Sequence, residues 1–200
     1  MRAIEPVESG RLRLQGFEIA YEVSGPPDAT PVLLLPTWQI VHSRIWKMQI
    51  PFLARTHRVI AWDAPGTGGG ERTLDRASVE YDRLAAQAVE LLDHLGAPSA
   101  SLIGYSRGCW LGMTIAARYP ERVSRLIMIG GGISEDPRPY PPSRFHERRD
   151  SYVGWEKWNA HYWSEHYPDW LDFFFHELFS EPHSTKPIDD GIGWGLETTP

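Results

Sequence analysis

The chain has 200 residues, of which 42 % are hydrophobic, 12 % aromatic and 23 % charged, with a formal net charge of −6. That is enough apolar material for a core without staples and too much for disorder. The acidic balance argues against a nucleic-acid surface, and no apolar run approaches the roughly 18 residues of a membrane span.

The start, Met1-Arg2-Ala3-Ile4-Glu5-Pro6, lacks the apolar segment of a secretory signal, so a cytoplasmic location is expected. Cys109 is the only cysteine, which excludes an internal disulfide and a cysteine-type metal cluster. No metal or organic cofactor is implied.

Leu12 and Leu14 alternate with arginines, Gln15-Gly16 turns the chain, and Phe17, Ile19, Tyr21 and Val23 alternate with polar residues. This pattern predicts an antiparallel hairpin, closed off by Gly25-Pro26-Pro27-Asp28. The next strands have another texture: Val32–Leu35, Val59–Trp62, Leu102-Ile103 and Leu126–Ile129 are short, continuous apolar runs. Such runs suit strands buried on both faces of a mostly parallel sheet.

Between them, Leu84, Ala85, Ala88, Leu91, Leu92 and Leu95 form a helical stripe ended by Gly96. Leu111, Ile115 and Tyr119 mark a second helix, stopped by Pro120. Alternating strands and helices imply crossover units of an α/β fold. Beyond Gly130-Gly131-Gly132 the texture shifts to a connector with Pro137, Pro139, Pro141 and Pro142. An aromatic-rich tail follows, holding five of the nine tryptophans. Trp170, Phe174, Phe175, Leu178 and Phe179 predict an amphipathic helix begun at Pro168.

The chemistry centres on Gly104-Tyr105-Ser106-Arg107-Gly108. A serine on a sharp strand-to-helix turn needs small neighbours two residues either side, because a side chain there would crowd the turn. A buried strand precedes the motif and a helix follows, so the context is the one the spacing requires. The start of the helix also brings free backbone N–H groups and the positive end of its dipole beside Ser106.

With that motif in place, the chain resembles the α/β-hydrolase superfamily from about residue 11 to residue 133. Val32-Leu33-Leu34-Leu35-Pro36-Thr37-Trp38 looks like the strand and loop that supply the oxyanion hole. Trp46-Lys47-Met48-Gln49-Ile50-Pro51 is similar to the family's Trp-x-x-x-x-Pro stretch, and Arg58 to Gly68 to the next strand with its Asp-x-x-Gly-x-Gly turn. The resemblance implies a core over residues 1–134, with the antiparallel hairpin leading a mostly parallel sheet flanked by helices. It implies an aromatic-rich helical cap over residues 135–200.

It further implies Ser106 as nucleophile, Gly104 and Gly108 as the elbow glycines, and backbone N–H groups of Trp38 and Arg107 as the oxyanion hole. Thr37, His42 and Tyr105 are pocket candidates. The substrate expected is a small apolar ester, lactone or related acyl compound, with no nucleic-acid or membrane partner.

Two departures matter. Pro36-Thr37 stands where the family usually has His-Gly, and proline has no N–H, which is why Trp38 is the candidate donor. This variant resembles bacterial hydrolase domains joined to nucleotide cyclase or regulatory domains. It keeps open an alternative, a non-catalytic domain that binds a small molecule.

The second departure is length: 94 residues follow Ser106, whereas the family's acid and histidine come after two further strands beyond the cap. The triad acid and histidine are not identifiable, and the sequence reads as the first two-thirds of a hydrolase, nearly inactive alone. In such a chain Leu126–Ile129 becomes an exposed apolar edge prone to self-association.

Among the eight histidines, His42 is the best substitute base because it falls on the helix after the oxyanion loop, though a rim or surface role suits it better. His161, His166, His176 and His183 are read as cap residues, and His94 beside Asp93 as a helix-end cap. Asp63 is expected to cap the turn that follows it. Glu135 and Asp136 come late for a triad acid, and Cys109 is read as packing under the elbow.

Overall fold

A computed structural model of the chain describes residues 4–131, 144–183 and 185–198. The chain divides into two compact units, Met1–Gly132 and Ile133–Pro200. The proline connector, Glu135 and Asp136 lie outside the described residues.

In the first unit, strands β1 (Glu8–Leu14) and β2 (Phe17–Ser24) form the hairpin. Gln15 and Gly16 both have positive φ, 52° and 86°, the backbone of a two-residue turn whose twist matches that of the strands. β2 then pairs antiparallel with β4 (Arg58–Asp63). The remaining pairs are parallel: β3 (Pro31–Leu34) lies between β4 and β5 (Ala100–Tyr105), and β6 (Val123–Ile129) borders β5. The sheet is six-stranded and mixed, in the order β1-β2-β4-β3-β5-β6.

The continuous apolar runs follow from two buried faces. Leu33, Leu35, Ile60, Trp62 and Leu102 join one cluster with Leu84, Ala88, Leu91 and Leu92 of α2 (Tyr81–His94) and Leu111 and Ile115 of α3 (Arg107–Arg118). The alternate residues Val32, Leu34, Val59 and Ala61 pack with Trp46 against α1 (Gln49–Leu53) on the other face. Each buried Leu or Val removes its side chain from water for about 1.5–3 kcal/mol.

The β6 run departs from this expectation. Ile127, Met128 and Ile129 remain 44–46 % exposed, because among the described residues β6 pairs on one side only, with β5.

The second unit holds α4 (Ala160–Leu178) and α5 (Thr185–Leu196). The predicted start at Pro168 is corrected. The helix begins at the buried N-cap Asn159, whose Oδ1 accepts from the backbone N–H of His161 at 2.9 Å and whose Nδ2 donates to the Glu147 carbonyl at 2.7 Å. Pro168 marks a kink instead: His166, two residues before it, leaves helical geometry at φ −136°, ψ 36°. Proline lacks the donor and crowds the preceding turn, which relaxes by bending there.

Trp170, Leu171 and Phe175 are buried on α4, with Trp163 stacked on Trp170 at 5.0 Å. Helix α5 had no counterpart in the sequence reading. No helix among the described residues is long and apolar enough to cross a membrane.

Candidate active site

Ser106 stands between β5 and α3 with φ 52° and ψ −117°. This is a backbone region that non-glycine residues enter at a cost of roughly 1–3 kcal/mol, paid only where surroundings over-determine it. Several contacts do so. The Ser106 N–H donates to the Ile129 carbonyl at 2.9 Å, and its own carbonyl accepts from the Cys109 N–H at 3.0 Å. A Cβ placed on Gly104 would come 2.4 Å from the Gly108 carbonyl oxygen, and one on Gly108 would come 2.9 Å from the Pro36 carbonyl oxygen.

Cys109 lies beneath the turn, 1 % exposed, its thiol 3.3 Å from the Gly104 carbonyl. It packs there as its position implied. Ser106 itself is exposed, and the N–H groups of Arg107 and Gly108 at the start of α3 have no intrahelical partners beside it.

The loop after β3 runs past this turn. Leu35 extends the ladder by donating its N–H to the Ile103 carbonyl at 2.9 Å, and the Trp46 indole donates to the Leu35 carbonyl at 3.3 Å. Thr37 is buried at 8 % exposure, and Trp38 and Tyr105 are half-buried.

His42 does not lie on a helix. It caps the short 3-10 turn Ser43–Trp46, its Nδ1 accepting the Arg44 N–H at 3.3 Å. Nor is it a surface residue, since it is 9 % exposed. Asp63 fixes the same region, accepting the Gly69 N–H at 2.9 Å as its place after β4 implied. It also accepts the Ser43 N–H at 2.8 Å, which joins the loop after β3 to the loop after β4.

Among the described residues, Ser106 Oγ has no histidine partner. His161 contacts the His146 carbonyl at 3.1 Å and His176 the Asp172 carbonyl at 2.8 Å. His94 lies in the last turn of α2, as expected of a helix-end residue, and also packs on Tyr21, its Nε2 3.3 Å from the phenol oxygen. No group of His, Cys, Asp and Glu among the described residues is arranged to hold a metal ion.

Sequence reasoning missed one network. The Arg107 guanidinium donates from Nε to the Tyr81 hydroxyl at 3.1 Å and from Nη1 to Gln39 Oε1 at 2.5 Å. Gln39 and Tyr81 stand 68 and 26 positions away, and nothing in their local sequence marks them.

Comparison with known proteins fits this geometry. A family model described as the alpha/beta hydrolase fold matches residues 30–180, and the chain belongs to that family. It is 41 % identical over 90 residues to a 2-hydroxymuconate semialdehyde hydrolase of Pseudomonas sp., covering 44 % of this chain and 31 % of the relative. It is 30 % identical over 126 residues to a haloalkane dehalogenase of Mycolicibacterium paratuberculosis, covering 62 % of this chain and 41 % of the relative.

The chain therefore spans less than half the length of these curated relatives. A crystal structure of a hydrolase from Pseudomonas aeruginosa superposes with a TM-score of 0.74 at 21 % identity, over 96 % of this chain and 68 % of that one. This last likeness concerns the fold. One curated relative is named as a hydrolase and the other as a dehalogenase, so the names agree on no single substrate.

Proposed function

We propose that the protein is a serine hydrolase of a small, apolar ester, lactone or related acyl substrate, with Ser106 as nucleophile. The observation that carries the reading is the backbone of Ser106, held at φ 52° on a tight turn between a strand and a helix. Such strain persists where it aims a reactive group.

Ser106 Oγ bonds to the carbonyl carbon while a general base takes its proton. The carbonyl π electrons move onto oxygen, where the N–H groups of Trp38 and Arg107 stabilise the charge. Collapse expels the alkoxide, which leaves protonated, and water then releases the acid from the acyl-serine. Among the described residues no base is hydrogen-bonded to Ser106, and slow turnover is the expectation for this arrangement.

A second reading, binding of a small molecule without turnover as in a regulatory domain, is favoured by Pro36-Thr37 in the loop after β3, where proline offers no N–H. A fluorophosphonate probe separates the two. The hydrolase reading expects covalent labelling of one peptide, the one carrying Ser106, abolished in Ser106→Ala. Labelling that is absent, or that survives Ser106→Ala, favours the binding domain.

A further inference from the structure

Both proposed oxyanion donors are backbone groups on separate segments, and one side chain joins those segments. Trp38 belongs to the irregular stretch between Leu35, which still bonds into the sheet, and the Ser43–Trp46 turn. Within that stretch the Val41 N–H donates to the Trp38 carbonyl at 3.0 Å, a local contact that does not tie it to the elbow. Gln39, the residue after Trp38, accepts from Arg107 Nη1 at 2.5 Å. Arg107 Nε reaches the hydroxyl of Tyr81 at 3.1 Å, and its guanidinium carbon stands 5.2 Å from the centre of the same ring. Tyr81 opens α2, the helix that packs on α3.

Arg107 is also the first residue of α3. A cation is disfavoured at that end by the helix dipole, so helix stability does not account for an arginine there. The planar guanidinium projects donors at fixed angles and can hold Gln39 and Tyr81 together, which an ammonium on a flexible stem does poorly. A charge-assisted bond to the Gln39 carbonyl is stronger than a neutral one. Oxyanion donors act only when held close to the position the charge will occupy.

We propose that the Arg107 side chain is a positioning residue: by bridging Gln39 to Tyr81 it sets the spacing between the Trp38 and Arg107 N–H groups. The inference rests on the serine-hydrolase reading. One charged side chain thereby couples the loop after β3, the elbow and the start of α2.

The test uses the full 200-residue chain and the variants Arg107→Gln, Arg107→Lys, Gln39→Ala and their Arg107→Gln/Gln39→Ala combination. Three quantities are read: the rate at which a fluorophosphonate labels Ser106, amide hydrogen exchange across residues 36–42, and the thermal midpoint. Arg107→Gln and Gln39→Ala are each expected to slow labelling by about ten-fold or more and to speed exchange in 36–42. The thermal midpoint is expected to stay near wild type.

The double variant should be no slower than the slower single one, since both break one bridge, and Arg107→Lys should fall between. Where turnover of a neutral 4-nitrophenyl ester is measurable, the loss should appear in kcat. A rise in KM at constant kcat would mean that Arg107 holds substrate and would overturn the proposal. Wild-type labelling and exchange in Arg107→Gln would also overturn it while leaving the hydrolase reading intact. A wild-type chain that is not labelled removes both.

Discussion

Gly104 shows how little freedom a single position can have. Its missing Cβ leaves room for the Gly108 carbonyl, which would otherwise be 2.4 Å away, closer than carbon and oxygen can approach. Gly104→Ala is expected to destabilise the first unit by about 1–3 kcal/mol through forced backbone shifts, measured by urea unfolding. A midpoint equal to wild type would show that the turn has more slack than this contact implies. Asp63 is decisive in another way, since two backbone N–H groups from different loops end on its carboxylate. Asp63→Ala leaves both without that acceptor and is expected to cost about 1.5–3 kcal/mol. Asp63→Asn, which keeps one carbonyl oxygen, should cost less in the same titration. The motif around Ser106 was legible because its demands are local, a turn and two small neighbours. The bridge from Arg107 to Gln39 and Tyr81 was not, because it joins residues that only the fold brings together.

At the scale of the element, α5 is the instructive case. Its sequence, with Gly191, Gly193 and Gly195, has poor intrinsic helix propensity, although Ile188, Ile192 and Leu196 fall at helical spacing. The helix exists because α4 needs close neighbours: a Cβ on Gly191 would lie 2.5 Å from the Phe175 ring, and one on Gly195 would lie 2.5 Å from Leu171. Gly193 meets nothing within 4 Å. Gly193→Ala is therefore expected to stabilise the second unit by about 0.5–1 kcal/mol, whereas Gly191→Ala should destabilise it. Opposite shifts of the thermal midpoint would bear this out, and equal shifts would remove packing as the explanation.

The same unit carries a pH-dependent contact. Lys157 Nζ donates to Asp169 Oδ2 at 2.6 Å, and the Tyr162 hydroxyl donates to the same oxygen at 2.5 Å. These bonds, the lysine's first, lower the Asp169 pKa, and the bond to Asp169 is the main cause raising that of Lys157. The Asp169 contribution is thus present above the ordinary carboxylate range and lost as pH falls through its depressed value. The Lys157 contribution is complete below the ordinary lysine range and lost as pH rises through its raised value. Asp169 is 53 % exposed, so solvent holds the effect to that of a surface pair, up to about 1 kcal/mol. Asp169→Asn should lower the thermal midpoint near pH ~7, and the difference should narrow below about pH 4. A difference independent of pH would count against the ion pair.

Across the whole molecule, the sheet's two borders differ. β1 is a polar edge with arginines at 11 and 13, whereas β6 exposes Ile127, Met128 and Ile129. Ile127 and Ile129 also line an apolar groove of about 290 Å³ with Trp46, Met48, Phe52 and Ile103. An apolar edge with unpaired backbone groups promotes association between copies, and a charge placed on it opposes pairing. Where the chain self-associates through this edge, Ile127→Lys is expected to lower the concentration-dependent increase in sedimentation coefficient while leaving the urea midpoint nearly unchanged. Undiminished association would place the sticky surface elsewhere.

The hairpin, the parallel strands, α2, α3 and the elbow were legible along the chain, because period-two and period-3.6 patterning and small-residue spacing express local sterics directly. The kink at His166 and the His42 cap on the Arg44 N–H are local too, set by residues two positions away. The antiparallel β2–β4 pairing, the packing of α5 on α4 and the exposure of the apolar β6 run emerge only in the folded molecule. Each of these three depends on which distant surface, or none, comes to lie against a segment, and the energy of such contacts is not encoded in the segment's own residues.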